Sequence, residues 1–349
     1  MMGPVVTRGQ ARHGDPAADA PPESRGLGRD GVRLMVATAS TGSIEHTVFS
    51  RIGEHLRHGD LLVVNVSRTI PASLDGTTAD GSPIRLHLSS PVAGSLWTVE
   101  PRLPAGVGSQ RLTDATPGTV SFDGGLVADL LVSDSRSPRL WIAELRGVDD
   151  LLDYLAIHGA PIRYSHVARP WPLEAYQTVY ARVPGSVEMA SAARPFTAES
   201  ITALVGSGVG IAPIVLHSGV ASFEEGESPD AEHFEVPSRT AHLINLTRST
   251  GGRVIAVGTT SVRAVESVAD VDGTVHPGSG VTDLIIGRDR PARVIDGLVT
   301  GWHDTGASHL DLVEGVAGPV VVEACYSEAR ERGYLWHEFG DSLLVTARD

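Results

Sequence analysis

A single cysteine, Cys325, rules out an internal disulfide framework and any zinc site built on cysteines. It sits in the apolar stretch Val320 to Tyr326, which predicts a buried structural thiol and suits a reducing cytosol. Lysine is absent, so all 28 bases are arginines, set against 42 acidic residues for a net charge of −14. So acidic a chain is a poor general binder of phosphate backbones, although a local arginine cluster can still hold a nucleic acid. Long apolar runs are missing too. The longest, such as Leu61 to Val64, are strand-sized, so no membrane-spanning helix is expected. The first residues carry no apolar segment of the secretory kind. Residues 1–30, rich in proline, glycine, alanine and arginine, read as a disordered tail. No phosphate-binding P-loop, nucleophile elbow or zinc ligand set occurs.

What is there is an ordinary globular composition, 41% hydrophobic and 20% charged, with room for two or three domains. Arg33 to Ala37 alternates like a strand, Thr47 to Arg57 has helical spacing, and Leu61 to Asn65 reads as a buried strand. From Ala72 to Arg146 short β runs alternate with Gly, Pro, Asp and Ser turns, the texture of a small barrel or sandwich. Helical and strand patterns then alternate. Helices are predicted over Asp149 to His158, Thr197 to Val205, Ser238 to Ser249, Thr260 to Ala269, Ser308 to Val316 and Val320 to Arg332. Strands are predicted over Ile211 to Leu216, Arg253 to Val257, Asp283 to Ile286, Arg293 to Leu298 and Ser342 to Val345. The expected fold is an α/β main domain, residues 31–71 and 149–349, with a small β-barrel domain inserted at 72–148.

The strongest candidate site is the strand–turn–helix from Val254 to Glu266, carrying Gly258-Thr259-Thr260-Ser261-Val262-Arg263. Thr259 or Thr260 can cap the helix, its free N–H groups attract an anion, and Arg263 can add a bidentate contact. The rival is a plain cap with Arg263 paired to Glu266 one turn on. Asn65 to Pro71 and His217-Ser218-Gly219 each leave a strand C-terminus, where ligands of open α/β sheets bind. Tyr176 and Tyr180, four apart, would share a helix face that is either core or a base platform. His303 and His309 are too few for a metal site, and no metal is expected. Gly206-Ser207-Gly208-Val209-Gly210 follows a helix and precedes a strand, the reverse of a dinucleotide fingerprint, and reads as a helix C-cap and turn.

Taken in order, Asn65 to Ala72, Tyr176-Gln177-Thr178-Val179-Tyr180, Leu216 to Gly219, Val257 to Arg263, Gly280 to Asp283 and Phe339-Gly340-Asp341 resemble the S-adenosylmethionine:tRNA ribosyltransferase-isomerases of queuosine biosynthesis. The resemblance spans Val32 to Val345. It implies S-adenosylmethionine as a ribosyl donor to the aminomethyl group of a 7-deazaguanine in tRNA. Adenine and methionine leave, and an epoxycyclopentanediol forms without metal. The sulfonium acidifies the C5′ hydrogens, so a base, a proton donor for adenine and an anion site for the methionine carboxylate are required.

On this reading His217, Glu232, Asp283 and His303 are the catalytic candidates, with His217 or Glu232 as the base. Thr259, Thr260 and Arg263 would take the carboxylate or a phosphate, Asn65 and Arg68 ribose or substrate groups, and Tyr176 and Tyr180 the base pocket, with Gln177 a further donor- or substrate-binding candidate. Glu338 and Asp341 are further polar candidates. The chain departs from the family pattern at Ala190 to Phe196, where Arg194 and Pro195 replace the usual leucine and histidine. A proline cannot transfer protons, so the altered segment points to a kept donor and a changed acceptor. The expected partner is therefore tRNA or a small-molecule acceptor, and the expected state a cytoplasmic monomer. A non-catalytic binding protein on the same scaffold is the third reading.

Overall fold

The computed structural model describes residues 15–105, 108–112, 114–135, 137–164, 166–220, 231–303 and 308–347. Strands β1 (Arg33–Thr38), β2 (Ser43–Val48), β3 (Leu61–Asn65) and β4 (Ser67–Thr69) precede the barrel strands. These are β5 (Ser73–Thr78), β6 (Pro83–Ala93), β7 (Leu96–Ala105), β8 (Gly108–Arg111), β9 (Gly118–Phe122), β10 (Val127–Ser133) and β11 (Trp141–Arg146). After helix α1 (Leu151–His158) come β12 (Val183–Ser186), α2 (Ala198–Gly206), β13 (Gly210–Leu216), β14 (Glu232–Val236), α3 (Ser238–Ser249), β15 (Val254–Val257) and α4 (Thr259–Ser267). The chain ends with β16 (Gly278–Thr282), β17 (Gly297–Thr300), α5 (Ser308–Ala317), α6 (Pro319–Glu331) and β18 (Ser342–Thr346).

The main sheet has the order β16-β14-β13-β3-β15-β17-β18-β1-β2. Strands β13, β3, β15 and β17 run parallel, so their C-termini share one edge. The middle strands β3, β15, β17 and β18 are buried at every position, as expected of strands covered on both faces. Leu62, Val64, Ile255, Val257 and Val299 pack on Phe49, Phe196 and Leu204; Leu61, Val63, Val254, Ala256 and Leu298 face the other way, onto Ile244, Val265 and Val322. Each strand residue thus serves one of two cores by its parity alone. The second sheet closes, because β11 pairs with both β10 and β7. The result is a six-stranded barrel with β8 appended to β7. At its root Ser73 and Ala160 exchange two backbone hydrogen bonds of 2.9 Å, joining the outgoing and returning chain.

Several local expectations need correction. Thr47 to Arg57 is not an α-helix: edge strand β2 takes its start and a 3-10 helix, Phe49–His55, the rest. Strand β16 lies at Gly278–Thr282, ahead of the predicted Asp283 to Ile286, because its backbone pairs with β14. Strand β17 likewise begins at Gly297, later than Arg293, since the N–H groups of Arg293, Val294 and Ile295 bond to Glu266. Residues 15–30, placed with the tail, include a segment packed on the main domain: Ala17 bridges Trp336 and Glu23 pairs with Arg194. The tail expected over residues 1–14 lies outside the described residues. Gly206 ends α2 and Gly208 has φ +84°, the C-cap and turn expected there. Cys325 is buried in α6, and burial pushes its thiol up to about 12. Among the described residues no helix is long and apolar enough to cross a membrane.

Candidate active site

The C-terminal edge of the parallel strands gathers the ends of β3, β13, β15 and β17. Strand β18 runs antiparallel to β17, so the turn before it, Trp336 to Asp341, reaches the same edge. Asn65 ends β3 in a fully buried position. Its amide donates to Leu216 O (2.8 Å) and Thr260 Oγ1 (3.2 Å), and its oxygen accepts from Ser67 N (3.0 Å) and Leu216 N (3.1 Å). All its hydrogen-bonding capacity is used. It therefore ties the end of β3 to the end of β13, the start of β4 and the first turn of α4, which leaves its amide no spare capacity for the ribose contact expected from sequence.

These ties position His217. Ser67 Oγ lies 2.8 Å from His217 Nδ1 and 2.6 Å from Ser186 Oγ. Burial, then the nearby His233, holds the His217 pKa below its ordinary value, so the imidazole is neutral at pH 7. Gly185, φ +154°, packs against this ring, and a Cβ there would come within 2.6 Å of Cε1 and Nδ1. Gly185→Ala must push the imidazole off Ser67. We expect it to fold and to lose turnover by about 10²-fold, the effect of an ångström-scale displacement of a reacting group. Steady-state kinetics with a melting curve checks this; normal kcat would detach His217 from the chemistry.

The Gly258 to Arg263 turn is built differently from expectation. Gly258, φ +87°, is the N-cap, and neither threonine caps the helix with its side chain. Thr260 Oγ1 instead accepts from Asn65, while Ser261 Oγ donates to Val257 O at 2.9 Å. The N–H groups of Thr259 and Thr260 have no acceptor among the described residues. They remain available to an anion, with the helix dipole behind them. Arg263 is buried and faces inward. It pairs with Glu232 and donates to Thr282 O (3.0 Å) and Leu284 O (3.2 Å). Glu232 Oε1 also accepts from Gly219 N at 3.2 Å. Arg263 thus pairs with Glu232, 31 residues away, and not with Glu266 one turn on.

The other candidates have the following surroundings. Asp341 accepts from Arg33 N and Nε and from Leu335 N, all within 2.9 Å. Gln177 clips the backbone of Thr69 through both amide atoms. Glu338 pairs with His166 at 2.7 Å, and His166 stacks on His337, a ring pair the sequence reading missed. His303 lies 3.0 Å from Thr300 Oγ1 and stacks on His309; burial and both His309 and His337 hold its pKa well down. Asp283 and Arg68 are exposed.

Tyr176 and Tyr180 do not share a helix, because the 3-10 helix Leu173–Tyr176 ends at Gln177. Their rings pack on Phe339 and Phe196, respectively. The hydroxyls of Tyr176, Thr178 and Tyr180 are all buried without a hydrogen-bond partner. Each such orphan costs about 1–3 kcal/mol.

A family model described as queuosine biosynthesis protein matches residues 14–345. The chain belongs to this family. The S-adenosylmethionine:tRNA ribosyltransferase-isomerase of Symbiobacterium thermophilum is 37% identical over 328 residues, covering 91% of this chain and 93% of that protein. The protein of the same name from Pelobacter propionicus is 33% identical over 329 residues, with 91% and 93% covered. The crystal structure of the S-adenosylmethionine tRNA ribosyltransferase of Thermotoga maritima aligns with a TM-score of 0.51 at 30% identity, covering 94% of this chain and 96% of that one.

The segment from Ser191 to Pro195 lines a cleft beside this edge. Gly301 and the turn from His337 to Ser342 line it as well. Pro22 and Arg29 of the N-terminal segment complete it. Arg194 is buried, donates to Ala175 O (2.8 Å) and Glu23, and lies 5.1 Å from the Phe339 ring centre. Burial lowers its pKa against the opposing effect of Glu23. Arg194 thus fastens the N-terminal segment at the cleft, a link between positions 171 apart in sequence that no local pattern announces.

Proposed function

We propose that the chain is an S-adenosylmethionine:tRNA ribosyltransferase-isomerase. It transfers and isomerises the ribosyl moiety of S-adenosylmethionine onto a 7-aminomethyl-7-deazaguanine in tRNA, forming epoxyqueuosine and releasing adenine and methionine. The observation that carries the reading is a neutral, hydrogen-bonded His217 beside an open helix N-terminus at one sheet edge. His217 takes the acidified C5′ proton, with Ser67 fixing its ring. The Thr259 and Thr260 N–H groups hold the methionine carboxylate. Tyr176, Thr178 and Tyr180 offer their unpartnered hydroxyls to the donor's sugar and base. Arg263 and Glu232 keep β14, β16 and α4 in place around it. His303, neutral and in contact with His309, is a second proton carrier, and Asp283 stands at the rim. Residues 31–71 and 149–349 form the catalytic body of a cytoplasmic monomer, and 72–148 the inserted domain.

A second reading keeps the donor and replaces tRNA by a small amine. It is favoured by Arg194 and Pro195, which stand where the family pattern has leucine and histidine and line the cleft. Incubation with S-adenosylmethionine, with and without tRNA carrying the 7-aminomethyl base, separates the two by mass spectrometry of adenine and methionine. Release that requires the tRNA supports the first reading. Release with small amines alone supports the second, and binding with no turnover of any acceptor defeats both.

A further inference from the structure

Strands β4 and β12 pair in parallel as a ribbon over the catalytic edge, and its two faces differ. Ser67, Thr69 and Ser186 are buried on the inner face, where Ser67 and Ser186 meet beside His217. Arg68 is exposed on the outer face, and Arg182, exposed too, immediately precedes β12 and donates its N–H to Val66 O. The register sets Arg68 opposite Pro184 and Ser67 opposite Val183, so the two arginines flank the ribbon diagonally. Neither guanidinium has a carboxylate, carbonyl or ring partner among the described residues. That is unusual here. Arg25, Arg29, Arg33, Arg194 and Arg263, which surround the same edge, are all engaged by protein groups. In a chain of net charge −14, two adjacent cations left in water are a local exception to the field around them.

We infer that Arg68 and Arg182 take the phosphates that flank the modified nucleotide of the acceptor. The inference rests on the tRNA reading given above. A base that reaches the neighbourhood of His217 remains tied to its backbone, so its flanking phosphates must lie on the rim. Arg68 is the residue next to Ser67, which bonds His217. A guanidinium suits this contact, since its planar fork matches phosphate oxygens. A small amine brings no phosphates and would leave both arginines idle.

The test uses the full chain and tRNA carrying the 7-aminomethyl base. Binding is titrated across salt for wild type, for the double variant Arg68→Ala/Arg182→Ala and for the double lysine variant. Both residues are exposed and unengaged, so the melting temperature is expected to hold. The alanine pair should weaken tRNA binding about 10-fold or more and reduce the slope of log affinity against log salt by about 1.4–1.8, two phosphate contacts' worth. The loss for tRNA should exceed any loss for S-adenosylmethionine by about 10-fold, and the lysine pair should restore most of it. Unchanged affinity and slope in a double variant of an enzyme that still modifies tRNA overturns the inference and leaves the tRNA reading standing. Equal losses for donor and tRNA overturn it too. A wild type that neither binds nor modifies tRNA removes the reading and the inference together.

Discussion

Replacing Arg263 with alanine is expected to lower folding stability by about 3–5 kcal/mol, the cost of leaving a buried charge unpaired. Arg263 and Glu232 are both buried, and they face each other between α4 and β14. Losing the guanidinium strands the Glu232 carboxylate and also frees Thr282 O and Leu284 O, which fix the end of β16. Turnover should fall with stability, because β14 and α4 both border the His217 edge. A double variant, Arg263→Met with Glu232→Gln, removes both charges while keeping bulk, and should recover a large part of the loss. Chemical denaturation of wild type, single and double variants measures this. A double variant as unstable as the single one would show that the ion pair is not what the arginine supplies. A stable Arg263→Ala protein with weak donor binding would instead return Arg263 to the direct carboxylate contact expected from its sequence position.

The second large effect concerns His217. His217→Gln should cost about 10²–10⁴-fold in kcat, the usual contribution of a general base. The pH profile gives the sign. The folded pKa lies below the ordinary 6.5 because burial disfavours the imidazolium. The base form therefore persists as pH falls, and kcat/KM should stay level from about pH 8 down to about 6.5 and drop only through the lowered pKa. Ser67→Ala should move that acidic limb, since it removes the partner of Nδ1. Glutamine at 217 with kcat within 10-fold of wild type, or an acidic limb above 6.5, would assign the base elsewhere, with His303 next in line.

What could be read before folding was whatever is local. Leu61 to Val64 and Val254 to Val257 are continuous apolar runs, and such runs belong to strands covered on both faces; Ile211 to Leu216, equally apolar, lies nearer the sheet edge and is only partly buried. The barrel was legible because its turns recur at short intervals. Strand β16 was not, since Gly278, Ser279 and Gly280 look like a turn and become a strand only by pairing with β14. Val48, Ile52 and Leu56 are spaced like a helix face, yet Val48 is exposed on an edge strand and only Ile52 and Leu56 are buried. The side-chain partners of the candidate residues were not legible, because these contacts are long-range: Asn65 with Leu216 and Thr260, Arg263 with Glu232, Asp341 with Arg33. Spacing along the chain carries no information about these pairings.

One feature of the main sheet bears on the order in which the molecule is made. Strand β18, the last, lies between β17 and β1, and β1 with β2 touches the rest of the sheet through it. During synthesis the barrel emerges whole by Arg146 and can close while the remainder is still being translated. The first two strands must wait for the last. Until Ser342 to Thr346 leave the ribosome, β1 has no parallel neighbour and Arg33 no Asp341. A chain that has not yet reached Ser342 can therefore hold a closed barrel while β1 and β2 stand apart from the rest of the main sheet.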